Sequence, residues 1–566
     1  MSPKKVSLII IIVLLVLFVI SAITMATFKS ISRVKIVDRS ILVVDLERSY
    51  PENASMQFDF FSMSHKMSFY KLLRSIYSAA NDDDVDAIIL KGYSINGLSK
   101  VWELSQALNY FHNQHKPIYG YFESAGLGNL MLSSVCDTVI MPPLANWYIP
   151  GFGANLLFLK GTFEKLGIGF DVIQFGKYKS AAEMLANDSM SVWMRESYDK
   201  LLDDLFYRFT SDCAQNLDIP EDSVLAFIDR AIIKANDAVK TGLVDTIMYW
   251  QDFKKHLVGD EDERIVSMGK YSRRSPKWDK ADRTIALVIA EGNITDAESR
   301  WGESGITPDR YAKALRKAAD DDDIDAIVFR VNSPGGSALA SDIIHREVLR
   351  ASERKPVIVS MANVAASGGY YISMAADEIV ATPYTITGSI GVIMFKAHFD
   401  EMYRKIGANP QKLKRGKFAD IFYGDHPMTP EEREILENAI GGIYEQFVAK
   451  AAEGRDTTYE WIDSVAQGRV WAATSAESLA LIDTLGSLWD AIAIAEQKIG
   501  VPDGQHAKIT IRPKPMNFFE VMRKFSETSI KSLVPKILRE NIEKYETIEK
   551  LSNKPLYLWT GKVNMR

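Results

Sequence analysis

The chain repeats itself at an offset of about 240 residues, and this duplication limits the possible folds more than any other feature. The segment DDDVDAII at residues 82–89 returns as DDDIDAIV at residues 321–328, an offset of 321 − 82 = 239. Shorter matches follow in the same order at nearly the same offset: residues 38–44 with 282–288, 136–140 with 376–380, 176–178 with 416–418, and 243–246 with 481–484. Ordered matches at near-constant spacing predict a tandem duplication of one domain, not a short-period solenoid.

Within each copy, short apolar runs alternate with amphipathic segments. In the second copy, residues 311–318 and 338–351 have the apolar spacing of helices, and the apolar runs 326–331 and 356–360 follow them. This alternation predicts strand–helix–strand units and an α/β fold with largely parallel strands.

The limits of the repeats divide the chain into five predicted parts. Residues 259–281 are charged and include Arg-Arg-Ser-Pro, which is typical of a linker. After residue 493 the sequence leaves the repeat, and residues 517–545 have a basic amphipathic pattern that predicts a helix. The predicted parts are an N-terminal anchor (1–30), a first repeat (38–258), a linker (259–281), a second repeat (282–500) and a C-terminal extension (501–566).

Residues 6–28 form a run of 23 residues without a charge, which predicts a transmembrane helix. A signal-peptide core is usually only about 7–15 residues long and ends in a small-residue cleavage site, of which this run has a poor version. We therefore expect an uncleaved anchor. Lys4 and Lys5 place its start in the cytoplasm by the positive-inside rule, although Lys29, Arg33 and Lys35 on the far side weaken that assignment.

Charge and residue usage exclude several classes of function. The net charge of −6 gives no reason to expect nucleic acid as a partner. The only two cysteines, Cys136 and Cys213, form no C-x-x-C pair, and the eight histidines form no H-E-x-x-H. We therefore predict neither a metal site nor a bound cofactor.

Ser367 is the candidate nucleophile, because it lies between a predicted strand and a predicted helix at residues 370–376. Its neighbours, Ala366, Gly368 and Gly369, are too small to cover its hydroxyl. Amides that point outward beside such a serine can stabilise the oxyanion that its attack creates. The alternative is that these small residues only allow a helix and a strand to pack closely.

The two copies have diverged in a complementary way. At an offset of 240, the partner of Ser367 is Leu127, so the first copy lacks the serine. Conversely, Lys179 of the first copy has Ala419 as its partner in the second. A single site assembled from both copies explains both losses. Taken alone, Lys179 would be interpreted as a surface lysine, which is the usual place of that residue.

A serine hydroxyl needs a base, and lysine can serve as one only when burial keeps it neutral. Two further segments carry groups that such a site needs, namely backbone amides for the oxyanion and a second hydroxyl. In Asn-Ser-Pro-Gly-Gly-Ser at residues 332–337, the amide of Gly336 can join that of Gly368 in holding an oxyanion, although Pro-Gly-Gly is also a common turn. Thr-Gly-Ser-Ile-Gly-Val at residues 387–392 offers one hydroxyl, that of Ser389.

Together, these motifs resemble the signal peptide peptidase family in its long, membrane-anchored, double-length bacterial form. They are Asn-Ser-Pro-Gly-Gly-Ser (332–337), Ala-Ser-Gly-Gly (366–369), Thr-Gly-Ser-Ile-Gly-Val (387–392) and Tyr-Lys-Ser (178–180). The resemblance implies tandem Clp-protease/crotonase-like domains and a Ser/Lys dyad. By this resemblance, Ser367 is the nucleophile, Lys179 is the general base and Ser389 is the hydroxyl that positions the lysine. The backbone amides of Gly336 and Gly368 are the implied donors to the oxyanion.

The resemblance also implies a homotetramer on the periplasmic face of the bacterial inner membrane, where cleaved signal peptides are degraded. We therefore expect a membrane-anchored serine endopeptidase that cuts apolar peptides at the bilayer. One alternative is a crotonase-type acyl-CoA enzyme, since two oxyanion amides also serve thioesters, but no purine-binding signature is evident. Another is a non-catalytic membrane scaffold, which would not need all four motifs.

The predicted anchor leads to a fractionation test. If residues 6–28 are an uncleaved anchor, the mature protein should retain its N-terminal residues and sediment with membranes. A truncated protein that begins after Phe28 should be soluble and folded, because the anchor adds nothing to either repeat's core. N-terminal sequencing of the purified protein checks this, and a start near Thr27 would show that the segment is cleaved.

Overall fold

The computed structural model describes residues 36–53, 58–59, 64–65, 67–297, 305–513 and 556–558. The predicted anchor at 6–28 and the predicted helix at 517–545 lie outside these residues. Within the described ranges, no helix combines the length and the apolar character that crossing a bilayer requires.

The strands are numbered in chain order. Those that precede residue 282 are β1 (Ser40–Asp45), β2 (Phe58–Asp59), β3 (Ser64–His65), β4 (Val85–Lys91), β5 (Ile118–Tyr121), β6 (Thr138–Met141), β7 (Asn146–Tyr148), β8 (Gly169–Phe175), β9 (Ile232–Lys234), β10 (Thr246–Ile247) and β11 (Ile265–Ser267). Those that follow are β12 (Thr284–Glu291), β13 (Ala326–Ser333), β14 (Gly335–Ser337), β15 (Val357–Ala366), β16 (Glu378–Ala381), β17 (Ile386–Gly388), β18 (Val392–His398), β19 (Val470–Ala472), β20 (Thr484–Leu485), β21 (Lys508–Arg512) and β22 (Leu556–Leu558).

The α-helices are numbered in the same way, and short 3₁₀ helices occur at Asp262–Arg264 and Lys277–Lys280. In the first half they are α1 (Phe69–Ala80), α2 (Leu98–His112), α3 (Leu127–Ser133), α4 (Lys160–Leu166), α5 (Glu183–Ala186), α6 (Val192–Leu217), α7 (Glu221–Arg230), α8 (Ala235–Lys240), α9 (Trp250–Val258) and α10 (Met268–Tyr271). In the second half they are α11 (Pro308–Asp320), α12 (Ala338–Ser352), α13 (Gly368–Tyr371), α14 (Asp400–Ile406), α15 (Pro430–Gly454), α16 (Tyr459–Val465), α17 (Ala473–Ser478) and α18 (Leu488–Lys498).

The duplication is visible in the order of the strands. The first sheet runs β10-β6-β5-β4-β1-β11, and the second contains the equivalent path β20-β16-β15-β13-β12-β21. Every neighbouring pair along both paths is parallel. This confirms the predicted α/β fold. Strand β11 comes from the predicted linker and β21 from the predicted extension, so each supplies an edge strand, while the domain boundaries themselves stay predictions.

Helices cover the sheets, and the largest apolar cluster contains buried residues of both repeats. Strand β13 is buried along almost its whole length, as expected for a parallel strand covered on both faces. Trp489 of α18 stacks on Tyr77 of α1 with ring centroids 4.0 Å apart, so helices of both repeats share that core. The repeats therefore pack against each other through side chains that also stabilise each sheet.

Strand β8 connects the repeats more directly. It pairs antiparallel with β18 over seven residue pairs, from Gly169 opposite His398 to Phe175 opposite Val392. The first repeat therefore extends an arm that ends on the second repeat, immediately before Gly176. This pairing carries the next residues of the chain, including Lys179, into the other repeat.

A buried cluster of charges also bridges the repeats. The Arg330 side chain is fully buried in the middle of β13 and donates hydrogen bonds to Glu52 (3.1 Å), Glu103 (3.0 Å) and Ser360 (2.9 Å). Burial lowers the pKa of Arg330, but the charges of Glu103 and Glu52 raise it more, so the guanidinium stays charged. Lys100, 3.5 Å from Glu52, balances the second carboxylate.

Removing Arg330 should destabilise the protein strongly, because it leaves two buried carboxylates with only one cation. Arg330→Met should lower the free energy of unfolding by about 3–5 kcal/mol, measured by urea denaturation. Arg404→Met is the control, since Arg404 is mostly exposed and its ion pair with Glu401 lies on the surface. It should change the free energy of unfolding by less than about 1 kcal/mol. Equal effects of the two substitutions would contradict the bridging role.

Candidate active site

Ser367 follows β15 directly, in a strained backbone conformation. Its φ of 56° and ψ of −114° are rarely adopted by residues with a side chain. The Ser367 amide donates to the carbonyl of Gly388 at 2.7 Å, which fixes the turn. The helix predicted at 370–376 is instead the single turn α13, so that part of the prediction was wrong. The small residues that follow Ser367 support a tight turn but not a long helix.

The structure brings Lys179 of the first repeat to Ser367 of the second. Lys179 Nζ lies 2.7 Å from Ser367 Oγ, although the residues are 188 positions apart in the sequence. Nζ also lies 2.8 Å from the carbonyl oxygen of Ser389 and 3.0 Å from its Oγ. Serine, lysine and second serine, predicted from separate motifs, therefore form one cluster.

Burial determines the charge of this lysine. The Lys179 side chain is 1% exposed and Ser367 is completely buried. Burial, which disfavours the ammonium form, holds the pKa of Lys179 well below its usual range. A neutral amine has two N–H donors and one lone pair. Its donors suit the two oxygens of Ser389, and its lone pair is then free to accept the Ser367 proton.

Gly468, which the sequence motifs did not single out, makes room for Lys179. At Gly468 an added Cβ would lie 2.6 Å from both the Cβ and the backbone nitrogen of Lys179, so the chains can approach only because no side chain is present. The preceding Gln467 accepts a hydrogen bond from the amide of Tyr178 at 2.8 Å. The repeat offers a signal that could have identified this position. In the register of β9 and β19, Gly468 corresponds to Arg230, so only the copy that receives the lysine has glycine.

Ser389 is held by its backbone beneath the lysine. Its φ is 54° and that of the preceding Gly388 is 74°, so two successive residues have positive φ. The Ser389 amide donates to the carbonyl of Arg469 at 2.7 Å. Because Ser389 is 1% exposed, its oxygens are directed at Lys179 rather than at solvent.

Gly336 and Gly368, the predicted oxyanion donors, are adjacent. A Cβ added to Gly368 would lie 3.2 Å from the Gly336 nitrogen and 3.1 Å from the Cα of Gly335. At Gly336 a Cβ would overlap the carbonyl oxygen of Ile294, and the φ of 151° adds strain. A substitution at Gly336 would therefore move the loop, so it cannot test the amide alone.

The described residues contain no cluster of three or more His, Cys, Asp or Glu side chains arranged to hold a metal ion. The sequence prediction that the protein uses no metal or cofactor stays a prediction. The groups that meet at Ser367 suit acyl transfer, with a hydroxyl nucleophile, a neutral amine beside it and adjacent glycine amides.

The chain is similar in sequence to known proteases. The sequence profile of peptidase family S49 matches residues 110–262 and again residues 350–502, once in each repeat. The chloroplastic serine protease SPPA of Arabidopsis thaliana is 34% identical over 450 residues, which cover 77% of this chain and 66% of that protein. Protease 4 of Salmonella typhi is 32% identical over 448 residues, which cover 76% of this chain and 72% of that protein.

Among solved structures, ClpP1 from Listeria monocytogenes superposes with a TM-score of 0.23 at 17% sequence identity. The superposition covers 36% of this chain and 91% of that chain. At this level of similarity it bears on neither activity nor substrate.

The strained φ at Ser367 should be measurable as lost stability. Ser367→Gly should make the protein about 1 kcal/mol more stable than Ser367→Ala, because glycine tolerates this conformation and the released strain exceeds the entropic cost of glycine. The measurement is the free energy of unfolding in urea. Ala365→Gly in the preceding strand is the control and should destabilise by about 0.5–1 kcal/mol. A less stable Ser367→Gly protein would show that the turn stores no strain.

Proposed function

Since the chain belongs to peptidase family S49 and is a serine protease, we propose that Ser367 is its nucleophile and Lys179 its general base. The observation that carries this assignment is the 2.7 Å contact between Lys179 Nζ and Ser367 Oγ in a buried site. Each copy of the repeat lacks one of these two residues, which is the reason that the sequence predicts their pairing. The contact supports that pairing within a single chain.

The mechanism follows from the positions of these groups. Neutral Lys179 accepts the hydroxyl proton as Ser367 Oγ attacks the peptide carbonyl carbon. The amides of Gly336 and Gly368 stabilise the resulting oxyanion, and the Lys179 ammonium returns the proton to the leaving amine. Water then attacks the acyl-enzyme, again with Lys179 as base, and releases the second product. Ser389 orients Nζ throughout by accepting its N–H groups.

The proposed substrates are apolar peptides, including cleaved signal peptides. A protease must bind its substrate in an extended form, because a helix hides the carbonyl that is attacked. The resemblance of the four motifs to the signal peptide peptidase family supports this substrate class. The proposed anchor at residues 6–28 would hold the site at the periplasmic face of the inner membrane, where such peptides remain after secretion.

Neither alternative accounts for the site as well. A crotonase-type enzyme needs the two oxyanion amides but has no use for a serine in contact with a buried lysine. A scaffold has no reason to keep a strained serine or a lysine without charge. Labelling of the protein by a fluorophosphonate, lost in Ser367→Ala, separates the protease from both.

The proposed homotetramer has support in the internal repeat. Strand β8 of the first repeat pairs with β18 of the second, but the equivalent segments at an offset of 240, residues 409–415 and 152–158, do not pair with each other. Ile173 in β8 is 3% exposed, whereas its equivalent, Leu413, is 96% exposed. A second copy of the chain that brings its 152–158 segment to residues 409–415 would repeat the internal contact. Head-to-tail contacts of this kind generate a closed ring when the rotation between successive copies closes.

This interface leads to a test of assembly. Leu413→Asp should convert the oligomer to monomers, because it places a charge where the contact would bury an apolar side chain worth about 1.5–3 kcal/mol. Sedimentation velocity measures the change. Tyr249→Asp is the control, since Tyr249 is exposed at the start of α9 and belongs to neither segment. If Leu413→Asp leaves the sedimentation coefficient unchanged, residues 409–415 do not form the interface.

The dyad itself is tested by peptidase activity. Ser367→Ala and Lys179→Ala should each lower kcat by at least about 10³-fold. Lys179→Arg should be equally inactive, because a guanidinium remains protonated and cannot accept a proton. The activity should rise with pH through the lowered pKa of Lys179, since the lysine is protonated below that pKa and neutral above it.

Lys177→Ala and Lys417→Ala are the matched controls. These equivalent lysines lie over aromatic rings, Lys177 Nζ 4.5 Å from the centre of Trp193 and Lys417 Nζ 5.1 Å from that of Phe418. Both variants should keep most of the activity and the same pH profile. Loss of activity in Lys417→Ala together with an active Lys179→Ala would place the site within the second repeat alone.

A further inference from the structure

The strand β22 lies beside the candidate active site, in the space between β14 and β18. We call this space the slot. Strand β22 forms the second strand of a four-stranded sheet with the order β14-β22-β18-β8. On one side it pairs antiparallel with β14, where Gly335, Gly336 and Ser337 face Leu558, Tyr557 and Leu556. On its other side, Leu556 pairs antiparallel with Ile393 of β18.

The slot is the place where a substrate would have to bind. Residue 557 is directly opposite Gly336, the proposed oxyanion donor. Cα atoms of β22 also lie within 8 Å of Cα atoms in α13, the turn that follows Ser367. A peptide whose carbonyl reaches Ser367 Oγ must pass along Gly336 and would therefore overlap β22.

The slot has room for one strand. Neighbouring strands in a sheet lie about 4.8 Å apart, so β14 and β18 stand about 10 Å apart with β22 between them. Their facing edges would bind any extended backbone through main-chain hydrogen bonds. The sequence around β22, Lys-Pro-Leu-Tyr-Leu-Trp-Thr at residues 554–560, is mostly apolar, as the proposed substrates are.

We propose that residues 556–558 are an intramolecular pseudosubstrate that occupies the substrate slot and competes with peptides for it. The inference rests on the proposed function, because occupancy inhibits only if peptides are cleaved at Ser367. A segment tethered to the same chain has an effective concentration of about 1 mM, which a free peptide must exceed to displace a competitor of equal affinity. Release of the segment then lowers KM and leaves kcat unchanged, since it adds or removes no group at the reacting atoms.

Binding tests occupancy without any need for activity. In the Ser367→Ala protein, a fluorescein-labelled peptide with the sequence of residues 554–560 is titrated by fluorescence anisotropy. Adding Tyr557→Pro removes an amide and disrupts pairing on both edges of β22. If the segment fills the slot in nine of ten molecules, Tyr557→Pro should lower the Kd about tenfold. Asn553→Pro, which lies before β22 in the sequence, is the control and should leave Kd unchanged. An unchanged Kd with Tyr557→Pro overturns the proposal.

Kinetics on the protein that retains Ser367 test inhibition. Tyr557→Pro should lower the KM for an apolar peptide about tenfold and change kcat by less than about twofold. Intact-mass measurement should show that residues 556–558 are retained. Their loss in the Ser367 protein but not in Ser367→Ala would make the segment a substrate and overturn the proposal. If no variant cleaves peptides or reacts with a fluorophosphonate, the proposed function fails, and the anisotropy result still decides occupancy.

Discussion

The contact between Lys179 and Ser367 depends on keeping water away from an amine. A lysine can act as a base near neutral pH only if burial makes the ammonium form costly. Neither repeat alone encloses Lys179. The first repeat supplies the arm β8 and the lysine that follows it, and the second supplies β18, Ser389 and Gly468, which surround the lysine. Packing between the repeats is therefore what creates the proposed base.

The rest of the structure holds this arrangement at some cost in free energy. Ser367 and Ser389 both have positive φ, and each is fixed by an amide hydrogen bond to the neighbouring loop. Arg330 is buried between Glu52 and Glu103, which come from the other repeat. Strained residues and buried charges persist only where the surrounding contacts outweigh their cost. Here Ser367 and Ser389 directly follow β15 and β17, and Arg330 lies within β13, the strand that pairs with β15.

The duplication also leaves surfaces that have no equivalent partner within the chain. The internal pairing of β8 with β18 uses one arm, and residues 409–415 of the other arm expose Leu413 to solvent. The slot between β14 and β18, by contrast, is filled by β22. The duplication thus underlies the proposed assembly, and the facing edges of β14 and β18 underlie the proposed self-competition.

The sequence alone determined the α/β repeats and the pairing of Ser367 with Lys179, because duplicated copies reveal which residue each has lost. It could not determine the length of the helix after Ser367, since short stretches of small residues fit a turn and a helix equally well. Nor could it find Gly468, whose role is to leave space for a side chain from the other repeat. Only the tertiary structure decided the depressed pKa of Lys179 and the pairing of β22 with β14, because burial and strand pairing arise between segments far apart in the chain.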